Sequence, residues 1–237
     1  PGVALPPAGA CVLASPLLPG LVNAHSHAFQ RAFAGLAETR ESASDDFWSW
    51  RERMYRVALR ISPAQLRAIA AQLYVELLRG GYTQVCEFNY LQHDSHGQPY
   101  AEPLALSWAL ADAAQDAGIG LTLMPALYER AGFAEPALRD EQRRFATRAA
   151  SVWAAASAIA ASRRPLVNAG LVIHSLRAAS ADAIAELCSL ADSFAGPIHI
   201  HVAEQNAEVD DCRAATGLRP LEWLAQQGLL DARWQLV

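Results

Sequence analysis

The stretch that decides the fold is Pro19-Gly-Leu-Val-Asn-Ala-His-Ser-His-Ala-Phe-Gln30. An apolar run from Pro16 to Val22 leads into His25-Ser-His27, which is the pattern of a buried strand that ends in two histidines. Side chains at positions i and i+2 of a strand point to the same face. Both imidazoles should therefore project together from the strand end, where they can supply two nitrogen ligands to one metal of the zinc class.

A second His-x-His pair lies in another apolar run. His199-Ile-His201 sits within residues 197–203, and Glu204 follows directly. Two such pairs at predicted strand ends are harder to attribute to chance than one. A packing residue is the alternative for either histidine of this pair. We expect His201 rather than His199 to be the ligand, with His199 facing away. Glu204, three residues after His201, suits proton transfer, although a solvated loop glutamate is the alternative.

Composition narrows the class of protein. The 237 residues are 52% hydrophobic and 18% charged, with a net charge of −5. The absence of a basic stripe argues against a nucleic-acid partner. No apolar run reaches the roughly 18 residues of a membrane span, and no signal peptide is visible, so we expect a cytoplasmic protein. The four scattered cysteines are expected to be reduced.

Strands alternate with helices along the chain, which predicts an α/β fold with a parallel sheet. The predicted strands cover 17–24, 82–88, 119–127, 169–174 and 197–203, with a sixth beginning at 234. The predicted helices cover 46–59, 62–80, 103–117, 139–162, 180–194, 206–216 and 219–228. Either a doubly wound sheet or a (β/α)8 barrel would fit. The polar residues at several strand ends favour the barrel, whose active sites lie there. No glycine-rich phosphate loop is present.

Several segments together resemble a known family. The metal motif up to His27 is similar to the first-strand motif of the amidohydrolase superfamily, and His201-Val-Ala-Glu204 is similar to the fifth-strand motif of its deaminase branch. Further segments resemble the N-formimino-L-glutamate deiminases, the iminohydrolases of bacterial histidine degradation. These segments are His25–Glu38, Phe47-Trp-Ser-Trp-Arg51, Glu87-Phe-Asn-Tyr90, His174-Ser-Leu-Arg177 and His199–Cys212.

The resemblance implies a site and a reaction. His25, His27 and His201 would bind one divalent metal, Zn²⁺ or another transition metal such as Fe²⁺, and Glu204 would carry protons. The substrate would be a small dicarboxylate, and the protein a homodimer. The substrate contacts implied are Gln30, Arg51, Tyr90, His174 and Arg177. Arg177 can hold a carboxylate bidentately. The alternative for Arg51 is a solvated helix residue, and the alternative for Tyr90 is a packing aromatic.

Chains of this family are longer than this one, and they continue to a strand-six histidine and a strand-eight aspartate. We therefore expect residues 16–237 to form a partial barrel of the first five to six βα units, and residues 1–15 to be the remnant of a flanking β-sandwich. Two other functions stay open: a guanine- or pterin-type ring deaminase, and a non-catalytic remnant. The arginines Arg51 and Arg177 favour a dicarboxylate substrate over a ring.

Overall fold

A computed structural model describes residues 7–9, 11, 15–36 and 47–237. Within them, seven strands form one sheet in the order β1-β2-β3-β5-β6-β7, with β4 paired to β3. Every pairing is parallel, so the predicted α/β class is confirmed. The strands are β1 Leu21–Ser26, β2 Tyr82–Asn89, β3 Gly120–Leu127, β4 Val167–Ala169, β5 Leu171–Ser175, β6 Ile198–His201 and β7 Trp234–Leu236. Most of the predicted 1–15 remnant lies outside the described residues.

Helices connect the strands and bury the sheet in two apolar clusters. One cluster is centred on β2, β3 and the helices beside them, and the other on β5, β6 and the helices that follow. The central strand β3 is buried along its whole length, as expected for a strand covered on both faces. The helices are α1 Phe47–Ala58, α2 Pro63–Arg79, α3 Ala105–Ala117, α4 Ala149–Ala161, α5 Ala181–Leu190, α6 Asn206–Thr216 and α7 Pro220–Gln226.

The start of α2 has the predicted capping box. The Gln65 backbone N–H donates to the Ser62 hydroxyl at 3.3 Å, and the Ser62 N–H donates to the Gln65 side-chain oxygen at 2.9 Å. Pro63 occupies the first helical position, where its missing N–H costs nothing. These contacts fix the point at which the chain turns back towards β2.

The prediction of one helix over 139–162 is wrong in its first half. Residues Asp140–Phe145 form a 3₁₀ helix, and α4 begins only at Ala149. The side chains of this segment bond to distant backbone. Arg144 is fully buried and donates to the carbonyl oxygens of Ala58 and Ile61. Thr147 donates its hydroxyl to the Ala126 carbonyl at 2.8 Å and accepts the Tyr128 N–H at 2.7 Å. Anchored in this way, the segment cannot continue the helix.

Two strands differ from their predicted form. The predicted strand 169–174 is divided at Gly170 into β4 and β5. Gly170 packs closely against β3, since a Cβ there would lie 2.8 Å from the Met124 side chain. The sequence predicts a buried first strand, and the described part of the chain leaves one side of that strand uncovered. β1 is an edge strand of the described sheet, and Leu21 and Val22 are 54% and 59% exposed. The carboxyl ends of all these parallel strands nevertheless share one edge, which places the polar residues that follow them together.

No helix in the described ranges is both long and apolar enough to cross a membrane.

Candidate metal centre and the cavity around it

Three histidines converge at the carboxyl edge of the sheet. His25 and His27 stand at the end of β1, and His201 is the last residue of β6. The Nε2 atoms of His25 and His27 are 3.1 Å apart, and each lies 3.2 Å from the Nε2 of His201. In a tetrahedral zinc shell with Zn–N bonds of about 2.0–2.1 Å, two ligand nitrogens are about 3.3–3.4 Å apart. The three residues therefore fit one tetrahedral metal ion with a position left open.

The hydrogen bond of His27 fixes which of its nitrogens can bind a metal. Its Nδ1 lies 2.9 Å from the Phe88 carbonyl oxygen at the end of β2. A carbonyl only accepts, so Nδ1 carries the proton and Nε2 keeps a lone pair. The Phe88 ring stacks on the His201 ring, with the two centroids 4.1 Å apart and the planes 18° from parallel. β2 thus orients two of the three histidines without itself providing a ligand.

Burial keeps the histidine cluster neutral. It lowers the pKa of His25, lowers that of His201 well below the ordinary value, and lowers that of His27 to about 3. Neutral imidazole is the form that binds metal. His199 stays outside the cluster, as expected. Burial is the main cause that lowers the pKa of His199 to about 4.

One cavity of about 550 Å³ brings all the predicted site residues together. It opens over the histidine cluster and is bounded by the residues that follow β1, β2, β5 and β6, together with the inner face of α1. The predicted residues that line it are His25, His27, Gln30, Arg51, Tyr90, His174, Arg177, His201 and Glu204.

A left-handed backbone turn presents Glu204 at the cavity. Ala203 has φ of +56°, a region that non-glycine residues rarely adopt, so neighbouring contacts must hold the turn. One of these is the Glu204 N–H, which donates to the Glu208 carboxylate at 3.3 Å. Partial burial raises the pKa of Glu204, and the charge of Arg177 opposes that rise. A carboxyl with a raised pKa is suited to both taking and giving a proton near neutral pH.

Arg177 is held beside the same carboxylate. Its Nη1 lies 4.0 Å from Glu208 Oε2, which is an ion-pair distance but too long for a hydrogen bond. The Arg177 side chain is 11% exposed, and its Nη1 has no hydrogen-bond partner among the described residues. Burial raises the pKa of Glu208, and Arg177 opposes the rise. Arg177 thus keeps a buried donor available for an anion in the cavity.

The remaining predicted residues form a polar and aromatic wall next to the histidines. Gln30 donates to the Tyr90 hydroxyl at 3.0 Å, and the Tyr90 ring lies 5.0 Å from that of His27. His174 follows β5 with its ring 5.0 Å from His201, and burial lowers its pKa well below the ordinary value. Arg51 extends from α1 across the Tyr55 ring, 5.7 Å from its centroid.

Sequence reasoning missed several residues of this cavity. Tyr55 and Tyr128 line it, and Gln142 contacts both of their hydroxyls from behind. Tyr128 directly follows β3, so the rule that polar residues at strand ends form the site would have found it. Gln142 had no such signal, because its segment was predicted as helix. Glu87, which lies in β2, is buried beneath the turn after His27.

Comparison with known proteins agrees with this geometry. The family model described as "Amidohydrolase family" matches residues 17–234. The chain belongs to the amidohydrolase family. It is 48% identical to the formimidoylglutamate deiminase of Pseudomonas aeruginosa over 97% of this chain and 51% of that protein. It is also 30% identical to a 5-methylthioadenosine/S-adenosylhomocysteine deaminase of Natronomonas pharaonis, over 91% of this chain and 44% of that protein.

A solved amidohydrolase confirms the barrel prediction. The crystal structure of an amidohydrolase from Brucella melitensis superposes with a TM-score of 0.85 at 43% identity, covering 92% of this chain and 49% of that one. The sheet is therefore the parallel half of an amidohydrolase (β/α)8 barrel rather than a doubly wound sheet. The chain spans about half the length of the relatives it matches.

Proposed function

We propose that the protein hydrolyses the formimino C–N bond of N-formimino-L-glutamate, which gives N-formyl-L-glutamate and ammonia. Support comes from the 48% identity to the Pseudomonas deiminase and from the composition of the cavity. The observation that carries the proposal is that one cavity combines a three-histidine cluster with two arginines, Arg51 and Arg177. The substrate needs both, because it has a hydrolysable carbon at one end and two carboxylates at the other.

The histidine end would perform the chemistry. His25, His27 and His201 would hold the metal, which we propose to be zinc, and when bound it would activate water for attack near neutral pH. In the hydrolysis the C=N double bond to the imino nitrogen is replaced by a C=O bond to the water oxygen, so both protons of the water must pass to the leaving nitrogen. Glu204 would carry these protons one after the other, since its raised pKa and its place at the cavity suit both taking and giving a proton.

The other end of the cavity would bind the carboxylates. Arg177 offers a buried Nη1 donor without a partner among the described residues, and Arg51 lines the same cavity. Gln30 and Tyr90, which hydrogen-bond each other, would add polar contacts beside the histidines. His174 is neutral, so its ring would donate or accept a hydrogen bond at the formimino group.

A ring deaminase is the second candidate, favoured by the 30% identity to the Natronomonas deaminase and by the aromatic cavity wall of Trp50, Tyr55 and Phe145. The experiment that separates the two measures ammonia release by the full-length protein from N-formimino-L-glutamate, guanine, a pterin and 5-methylthioadenosine. We expect turnover of formiminoglutamate alone. Turnover of a ring substrate alone would establish the second candidate, and no turnover by metal-loaded protein would favour a non-catalytic role.

Arg177 gives a direct test of the carboxylate end. Losing one partner of a desolvated charge contact typically costs about 2–5 kcal/mol, so Arg177→Ala should lower kcat/KM for formiminoglutamate by about 30-fold or more. Arg177→Lys should restore only part of the lost kcat/KM, because an ammonium cannot form the bidentate contact. Zinc content should stay unchanged in both variants. Normal turnover by Arg177→Ala would show that the substrate carboxylates bind elsewhere.

A further inference from the structure

The amide of Gln142 has only one orientation that satisfies its neighbours. Gln142 is 2% exposed and lies in the 3₁₀ helix Asp140–Phe145 behind the cavity wall. Its side-chain oxygen accepts the Arg139 backbone N–H at 3.0 Å, so the amide nitrogen must point the other way. That nitrogen lies 2.9 Å from the Tyr128 hydroxyl and 3.2 Å from the Tyr55 hydroxyl. Gln142 is therefore the donor in both contacts, and both tyrosines accept.

Counting hydrogens then leaves the phenolic hydrogens of this wall unused. The Tyr55 and Tyr128 hydroxyls each carry one hydrogen, and each already accepts from Gln142. Both rings line the cavity, and in the described part of the chain neither hydroxyl donates a hydrogen bond. A hydroxyl that already accepts can satisfy its own hydrogen only by donating it. Each hydroxyl therefore offers an O–H donor to whatever fills the cavity.

The surroundings of Tyr128 indicate what that acceptor would be. Burial raises the pKa of Tyr128 far above its ordinary value, so the hydroxyl keeps its hydrogen at any physiological pH. The charges of Arg177 and Arg51 both reach this hydroxyl and oppose the rise. A donor placed among two cations is suited to an anion and unsuited to a cationic or neutral group. Tyr128 directly follows β3 at the edge where the histidines lie, its ring is 4.4 Å from that of His174, and it shares the cavity with both arginines, so we assign the donation to Tyr128.

We propose that the Tyr128 hydroxyl, oriented by Gln142, donates to one carboxylate of the substrate and completes an anion subsite with Arg51 and Arg177. This makes Tyr128 a specificity-determining residue. The inference rests on the proposed function only for the identity of the substrate; the subsite itself requires no more than a carboxylate. Glutarate, a dicarboxylate without a formimino group, can therefore probe it independently of turnover.

The test compares wild-type full-length protein with Tyr128→Phe, which deletes one hydroxyl. A hydrogen bond to a charged group contributes enough that we expect glutarate to bind Tyr128→Phe about 10-fold more weakly or worse. Isothermal titration calorimetry on zinc-loaded protein measures this affinity. Tyr82→Phe is the matched control, because it deletes a hydroxyl at the start of β2 and outside the cavity, and its affinity should equal that of wild type.

Kinetics with three substrates complete the test. These are N-formimino-L-glutamate and two analogues, N-formimino-4-aminobutyrate and N-formimino-L-2-aminobutyrate, each of which lacks one carboxylate. Tyr128→Phe should lower kcat/KM about 10-fold or more for the diacid and for one monoacid. The other monoacid should change less than about twofold, because it lacks the carboxylate that Tyr128 binds.

Three results would overturn the inference: unchanged glutarate affinity in Tyr128→Phe, no glutarate binding by the wild type, or an equal loss for all three substrates. If wild-type protein failed to turn over formiminoglutamate but Tyr128→Phe still weakened glutarate binding, the proposed function would be wrong and the anion subsite would stand.

Discussion

The buried carboxyl of Glu87 predicts a specific dependence of stability on pH. Glu87 is 2% exposed beneath the turn that follows His27, where it accepts the Ala28 N–H at 2.7 Å and the Tyr74 hydroxyl at 3.3 Å. Burial outweighs these bonds and raises its pKa from 4.5 to about 7. A carboxyl whose pKa is raised on folding stabilises the fold when protonated. That stabilisation is complete below the unfolded-state pKa and is lost as the pH rises through the folded-state pKa.

The size of the effect follows from the two pKa values. Each pKa unit corresponds to about 1.36 kcal/mol, so the shift from 4.5 to about 7 is worth about 3 kcal/mol in total. About 2–3 kcal/mol of this should be lost between about pH 5 and about pH 8. Glu87→Gln keeps the shape of the side chain but cannot ionise. The free energy of unfolding of Glu87→Gln, taken relative to that of wild type, should therefore increase by about 2–3 kcal/mol between about pH 5 and about pH 8.

Urea denaturation of metal-free full-length protein at several pH values measures this difference. Omitting the metal removes the separate pH dependence of zinc binding. Glu186→Gln is the control, since it neutralises an exposed carboxylate on α5, and its difference from wild type should not change with pH. A constant difference for Glu87→Gln would show that Glu87 is not desolvated. A difference that shrank with rising pH would show that a nearby cation stabilises its charged form.

Three further predictions concern the cavity. Glu204→Gln should keep its zinc content near that of wild type and lower kcat about 100-fold or more, as measured by metal analysis and steady-state kinetics. A parallel loss of zinc would show that Glu204 is a metal ligand. Zinc at about 100 times its Kd should raise the free energy of unfolding of the wild type by about 2.7 kcal/mol, as measured by thermal unfolding. The same zinc should hardly change that of His201→Ala, and equal stabilisation of both would exclude His201 as a ligand. Glu208→Ala should lower kcat about 5- to 10-fold with the zinc content unchanged. Glu208→Gln should keep the wild-type kcat, because its amide oxygen still accepts the Glu204 N–H. Equal kcat values for the two variants would show that Glu208 does not position Glu204.

Sequence reasoning was most successful where local rules decide the outcome. The strand period of two places His25 and His27 together, and the capping box places Ser62 at the start of α2. Residues at parallel strand ends meet at one edge of the sheet, so His201 joins the other two histidines from 174 positions along the chain. The roles of the residues brought together still depend on the resemblance and on the experiments above.

Local pattern failed where a distant part of the chain controls the conformation. Residues 139–148 have a composition that permits a helix, but Arg144 and Thr147 bond to backbone of α1 and β3 instead. Gln142 could not be recognised as part of the cavity wall for the same reason, because its partners Tyr55 and Tyr128 lie 87 and 14 positions away in the sequence.

The charge distribution of the cavity bears on which substrate fits it. Burial keeps His174 and the three clustered histidines neutral, so the two arginines are the permanent cations of the cavity wall, and Glu204 is its carboxyl group. A formimino group is an amidine and carries positive charge when protonated, opposite in sign to the carboxylates of the same molecule. The arginines would attract the carboxylates and repel the amidine, which directs the amidine towards Glu204 and the histidines. A neutral purine gains no such orientation. The kcat/KM for formiminoglutamate should therefore fall with ionic strength far more than that for any ring substrate.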